Sequence, residues 1–132
     1  MRAARAPSEI WGRLEHAMPL TIDLRTHLEH LTAALDISYD ELAHVVGTDR
    51  KTVSRWLAGE SFPQTANRAT LDALEALAER LDETFDGPEG AHIWLRSRSG
   101  YFGGLCPLDA LLRGRIDAVS AALDALDAGV FV

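Results

Sequence analysis

The chain has 132 residues, of which 47% are hydrophobic and 25% are charged. This composition is typical of one compact domain or of two very small domains that share a core. No apolar run is long enough to span a bilayer, and the arginines near the start are not followed by the apolar stretch of a secretory signal. A single cysteine, Cys106, excludes a disulfide framework. We therefore expect a cytoplasmic protein that has no membrane partner.

The net charge of −7 is distributed unevenly. Residues 1–35 carry a net charge of 0, residues 36–70 carry −1 and residues 71–132 carry −6. Nucleic-acid binding needs a surface that is at least locally basic, so the acidic C-terminal half is unsuited to DNA. That half suits a basic protein partner instead.

The pattern of residues predicts helices and no strands, because no alternating run and no Asn-Gly hairpin is present. Residues 1–20 are predicted to be loosely held, although the stretch EIWGRLEHAM can form a helix with Ile10, Trp11 and Leu14 on one side. The first core helix is indicated by four leucines spaced 4, 3 and 4 residues apart, which form one apolar stripe: Leu24, Leu28, Leu31 and Leu35.

A second helix begins with a complete start signal. Ser38 and Glu41 form a capping box, and Ile37 with Leu42 can form a hydrophobic staple. The helix is predicted to end at Gly47, where a positive φ is allowed.

A third helix follows the turn, capped by Thr48 or Asp49 and ending at Gly59. Val53 and Trp56 face back toward the second helix, which is the spacing of a helix-turn-helix. The remaining side chains of this segment are cationic or short and polar, and they are the candidate DNA contacts: Thr48, Arg50, Lys51, Thr52, Ser54 and Arg55. The alternative is a helical hairpin whose basic helix is only a solvated face.

Four further helices are predicted in the second half. A long helix begins near Thr65, and a short one begins at Pro88 and carries Trp94. A glycine-rich connection, SRSGYFGGLC, leads to a short helix at Pro107, and the last helix ends at Gly129. Three apolar residues close the chain: Val130, Phe131 and Val132.

No enzyme, metal or cofactor site emerges from these residues. His27 and His30 lack further ligands nearby in the sequence, so we expect both to be solvated. Cys106 has no partner histidine and acid, which makes a packed helix start the favoured role rather than a catalytic thiol. We expect no catalysis by this chain.

The C-terminal half resembles the toxin-binding domain of the Xre/MbcA/ParS antitoxin family. The resemblance rests on Trp94-Leu95, on Gly103-Gly104 and on the segment PLDALL that begins at Pro107, and it extends over about residues 22–132. The apolar end LDALDAGVFV also resembles that of a family member. One departure is that Ser99, Gly100 and Tyr101 occupy the loop where the family often has an Asn-Pro pair, and Phe102 stands where Leu is frequent.

This resemblance implies an Xre-type helix-turn-helix module in residues 21–64, and a long helix with a toxin-binding domain in residues 65–132. It further implies an antitoxin that obstructs the active site of an NAD-consuming RES-domain toxin and represses its own operon by binding operator DNA, as a homodimer within a larger complex. The alternative is a stand-alone transcriptional regulator whose C-terminal half only dimerises.

The expected toxin contacts combine aromatic and arginine side chains, which commonly anchor interfaces, with the glycine loop and the apolar end. Trp94 is expected to serve the core first, whereas Tyr101 and Phe102 are expected to be exposed. The complete set is Trp94, Arg96, Arg98, Tyr101, Phe102, Gly103, Gly104, Arg113, Arg115, Val130, Phe131 and Val132.

Overall fold

The computed structural model describes residues 21–129, and every regular element among them is helical. Seven α-helices follow one another along this part of the chain: α1 (Thr21–Leu35), α2 (Tyr39–Val46), α3 (Arg50–Ala58), α4 (Thr65–Phe85), α5 (Pro88–Leu95), α6 (Pro107–Leu112) and α7 (Ile116–Asp127). A short 3₁₀ helix, Gly100–Phe102, lies between α5 and α6. The predicted all-α fold is therefore confirmed for the described residues. Within these residues, no helix is both long and apolar enough to cross a membrane.

The capping box predicted at the start of α2 is present. The Glu41 amide donates to the Ser38 hydroxyl at 3.0 Å, and the Ser38 amide donates to the Glu41 carboxylate at 2.9 Å. Ile37 and Leu42 are both buried beside it, as the staple requires. These local contacts fix where α2 begins, and so they fix which of its residues face the core.

A turn of residues 47–49 joins α2 to α3. Gly47 has φ +86°, and its amide and that of Thr48 both donate to the Ala43 carbonyl at 2.9 Å. Of the two proposed caps for α3, the structure selects Asp49, whose carboxylate accepts from the Thr52 amide at 2.8 Å. Hydrogen bonds from Thr52 lower the pKa of the Asp49 carboxyl.

A single hydrophobic core connects all seven helices. The longest helix, α4, packs against α1, α2, α5 and α7. Its core face is a row of leucines that are almost entirely buried: Leu71, Leu74, Leu77 and Leu81. The leucine stripe of α1 and the Trp56 side chain of α3 lie in the same core. The predicted boundary between residues 21–64 and 65–132 therefore marks no break in packing, and the division into two modules stays a prediction.

One histidine differs from its predicted environment. His27 is not solvated, because its side chain on α1 is only 9% exposed and its Nε2 lies 2.9 Å from the Glu75 carboxylate on α4. Burial lowers the pKa of His27, nearby His30 lowers it further, and Asp72 opposes both. His30 is exposed as expected. Among the described residues, no three His, Cys, Asp or Glu side chains come together as a possible metal site.

The cap of α3 provides a test with a matched control. We expect Asp49→Ala to lower the midpoint of thermal unfolding by a few degrees, because the Thr52 amide loses its acceptor at the helix start. Thr48→Ala, one residue earlier in the same turn, should leave the midpoint unchanged. Circular dichroism melts of both variants make the comparison, and equal losses would contradict the assignment of the cap.

Candidate functional site

The short helix α5 divides its side chains between the core and the solvent. Pro88 occupies its first turn, and Ala91 and Leu95 are buried. Ile93 lies between these two on the opposite side of the helix and is 62% exposed. Trp94 is half-buried, with its ring centroid 5.6 Å from that of Phe85 on α4. The packing of Trp94 agrees with its expected core role, while the exposure of Ile93 adds an apolar surface group.

The loop of residues 97–106 is built around Ser99, which is only 7% exposed. Its hydroxyl accepts from the Tyr101 amide at 3.1 Å, its own amide donates to the Leu105 carbonyl at 3.0 Å, and its carbonyl accepts from the Gly104 amide at 2.9 Å. Gly103 and Gly104 have φ angles of +67° and +91°, which favour glycine at both positions. The loop is therefore closed by its own hydrogen bonds.

This closed loop presents one aromatic side chain to solvent and holds the other against the core. Tyr101 is 46% exposed, and its ring meets that of Phe102 edge-to-face at 5.2 Å. Phe102 is half-buried and packs against the core, so the expectation that it would be exposed is wrong. Leu105 of the same loop is instead exposed, with 47% of its surface accessible to solvent.

Two of these apolar surface groups, Ile93 and Leu105, were not predicted from the sequence. The signal for Ile93 was available, because residues 91 and 95 lie one helical turn apart and place residue 93 on the far side. No sequence signal identifies Leu105, since its exposure follows from the way the loop closes around Ser99.

The four arginines expected around the loop do not form one cluster. Arg96 turns to the end of α1, where it donates to the carbonyls of Leu35 and Asp36. Arg115 makes a two-point pair with Asp117 on α7, with both N–O distances 3.1 Å. Arg98 and Arg113 are exposed. Arg96 therefore connects two helices, and its role in binding a partner stays a prediction.

Cys106 is a capping residue. Its amide donates to the Asp109 carboxylate at 3.1 Å and its thiol donates to the same oxygen at 3.2 Å, at the start of α6. Both contacts lower the pKa of Asp109. The geometry agrees with the predicted role at a packed helix start.

The end of α7 is tied to α4 by a network of three side-chain contacts. Arg80 donates to Asp124 and to Asp127, both at 2.9 Å, and the Thr84 hydroxyl donates to Asp127 at 3.3 Å. The two carboxylates raise the pKa of Arg80. Gly129 follows with φ +84°. The residues beyond it, Val130, Phe131 and Val132, lie outside the described part of the chain, but the point from which they leave is fixed.

A second candidate surface is the outer face of α3. Lys51, Ser54 and Arg55 are exposed, and Thr52 is half-buried. Arg50 is engaged within the module: its guanidinium lies 5.3 Å from the centroid of the Tyr39 ring and 3.8 Å from the Asp40 carboxylate, and it also donates to Ser54. Arg50, Lys51 and Arg55 are therefore all exposed, and Arg50 is held against α2.

Comparisons with known proteins identify the family of the chain. Residues 80–129 match a protein family described as the antitoxin Xre/MbcA/ParS C-terminal toxin-binding domain. The mycobacterial cidal antitoxins MbcA of Mycobacterium tuberculosis and Mycobacterium bovis are each 32% identical to this chain over 98 residues, which are 74% of this chain and 86% of theirs. The chain belongs to the Xre/MbcA/ParS antitoxin family.

A solved structure agrees with this family assignment. The crystal structure of the M. tuberculosis MbcT–MbcA toxin–antitoxin complex contains a chain that matches with a TM-score of 0.60 and 28% identity. The match covers 83% of this antitoxin-family chain and 97% of the other. The residues that match the family model begin at Arg80 and include α5, the Ser99 loop, α6 and α7. The α3 surface lies outside that range.

The role of Arg96 can be separated from that of Arg98 by a stability measurement. We expect Arg96→Ala to lower the free energy of unfolding by about 1 kcal/mol, because the carbonyls at the end of α1 lose a donor. Arg98→Ala, two residues away and exposed, is the matched control and should have no effect. Urea unfolding of both variants makes the comparison, and an unchanged Arg96→Ala variant would show that this contact does not stabilise the fold.

Proposed function

We propose that this chain neutralises an NAD-consuming toxin of the RES-domain class by obstructing the toxin's active-site cleft with its C-terminal half. The observation that carries the proposal is the network of Arg80, Thr84, Asp124 and Asp127, which fixes the end of α7. Because α7 is held at this end, an apolar terminal segment leaves from a defined position. A defined exit lowers the entropy lost when such a segment inserts into a partner.

The surface chemistry of the same half supports a protein partner. Ile93, Tyr101 and Leu105 are exposed within one segment of α5 and the following loop. The core formed by the described residues does not include these three side chains. The centre of a protein interface is apolar and enriched in aromatic groups such as Tyr101. The net charge of −6 in residues 71–132 favours a toxin whose contacting surface is basic.

Removal of residues 130–132 tests the obstruction directly. The truncated chain retains Gly129 and the complete Arg80 network, so its fold should be preserved. Loss of the Phe131 and valine side chains from the proposed interface should weaken inhibition roughly tenfold to a hundredfold. The measurement is NAD consumption by the co-purified toxin, titrated with the full-length and the truncated chain.

Two point variants are the controls for this truncation. Phe131→Asp should release toxin activity as the truncation does, because a charge cannot be buried without a partner. Phe131→Leu should inhibit nearly as well as the original chain. If the truncated chain inhibits as strongly as the full-length chain, the terminal segment does not obstruct the active site.

A second activity is proposed for α3, which we infer binds the operator of the chain's own operon. The exposed face of α3 carries Lys51, Ser54 and Arg55 and no acidic residue. Its end is held by Arg25, whose guanidinium donates to the Leu57 carbonyl at 3.1 Å. A homodimer would present two such helices to the two halves of a palindromic operator.

Substitutions on α3 test the operator proposal. Lys51→Ala should weaken binding and reduce the slope of log K against log salt by about one unit, as expected for one lost phosphate contact. Arg55→Ala should cost about 1–3 kcal/mol if it contacts a base. Fluorescence anisotropy with promoter DNA measures both, and Arg98→Ala is the control from the other half of the chain. Operator binding that is unchanged by both α3 substitutions would contradict the proposal.

The alternative function is a stand-alone regulator whose C-terminal half only dimerises. The exposed face of α3 supports this alternative as strongly as it supports an antitoxin, because both functions require DNA binding. The two differ in the toxin titration above: a stand-alone regulator would leave the activity of a neighbouring toxin unchanged.

A further inference from the structure

A groove with a volume of about 460 Å³ lies between α1, α4 and the start of α5, away from the loop and from α3. Alanines provide much of its apolar lining, namely Ala33 and Ala34 of α1 and Ala78 of α4. One wall is fixed by His92, whose Nε2 lies 3.1 Å from the carbonyls of both Ala33 and Ala34. Glu79 and Asp82 of α4 add two carboxylates to the lining, which His30 and Pro88 complete.

This combination calls for an occupant with a large apolar side chain and a neighbouring cation. The alanine side chains are too small to fill the groove, and an aromatic side chain would remove its apolar surface from water. The carboxylates of Glu79 and Asp82 would attract an arginine beside that aromatic group.

Residues 1–20 of the same chain contain such a segment. The spacing of Ile10, Trp11 and Leu14 would place them on one side of a helix, and Arg13 is adjacent in the sequence. These 20 residues hold three arginines and two glutamates, so the segment is positive where residues 71–132 are strongly negative. Charge and apolar pattern both complement the groove.

The length of the segment also fits. Ala33 lies about 18 Å along α1 from Thr21, where the helix begins. Trp11 precedes Thr21 by ten residues, which span about 15 Å if helical and about 33 Å if extended. Pro19 favours a change of chain direction just before α1. A segment that turns back at Pro19 and is partly extended therefore spans the 18 Å to the groove.

We propose that residues 10–14 dock into the alanine groove of their own chain, with Trp11 inserted and Arg13 beside Glu79 and Asp82. This contact fastens the N-terminal segment across α1, α4 and α5. A groove of this volume accommodates one large side chain and its neighbours, whereas a stable protein–protein interface commonly buries about 1,600 Å². A second copy or another protein is therefore the less suitable occupant.

A double-mutant cycle in the full-length chain tests the proposal. Trp11→Ala should lower the midpoint of thermal unfolding by about 5 °C, because the indole loses its burial site. Ala33→Gln extends a neutral side chain into the groove and should lower the midpoint by displacing Trp11. In the Trp11→Ala background, Ala33→Gln should have no further effect. Ala69→Gln is the matched control, because Ala69 is exposed on α4 and does not line the groove.

The cycle is repeated over a hundredfold range of protein concentration. A coupling that does not depend on concentration supports docking within one chain. A coupling that grows with concentration would identify a second copy as the occupant and overturn the proposal. Additive effects of Trp11→Ala and Ala33→Gln would also overturn it, because the two positions would then not be in contact.

Discussion

The fold depends on the burial of one face of α4. Leu71, Leu74, Leu77 and Leu81 are almost completely removed from water, and this face meets helices from both halves of the chain. Loss of any one of these leucines would leave a cavity, at a cost of about 2–5 kcal/mol. Because this single core is shared, the surface proposed to bind DNA and the surface proposed to bind a toxin belong to one packed unit.

Polar contacts between helices reinforce this unit where helices end. The last turn of α1 holds no basic side chain, and its carbonyls are contacted instead by His92 of α5 and by Arg96, which follows α5. The end of α7 is held to α4 by Arg80. A cation at a helix C-terminus also interacts favourably with the helix dipole. The contacts at the end of α1 thus position α5 and the loop that follows it. The contacts at the end of α7 position the start of the terminal segment.

Local signals in the sequence predicted the helices well, because they act over a few residues. The capping box of Ser38, the positive φ of Gly47 and the leucine spacing of α1 were all readable without a structure. The partner of Arg96 could not be predicted, because Asp36 lies far away in the sequence and only packing brings the two residues together. The same applies to His27, which looked solvated and is buried against α4. The candidate site was predictable as a segment, while the direction of each side chain depended on tertiary contacts.

Hydrogen exchange of the full-length chain, alone and bound to the toxin that co-purifies with it from the native host, tests whether the C-terminal half binds the toxin. The toxin should slow exchange in residues 97–106 and at the end of α7, and should leave exchange in α3 unchanged. Slower exchange confined to α3, with the loop and the end of α7 unaffected, would contradict it. Purification without any co-eluting NAD-consuming enzyme would contradict it as well.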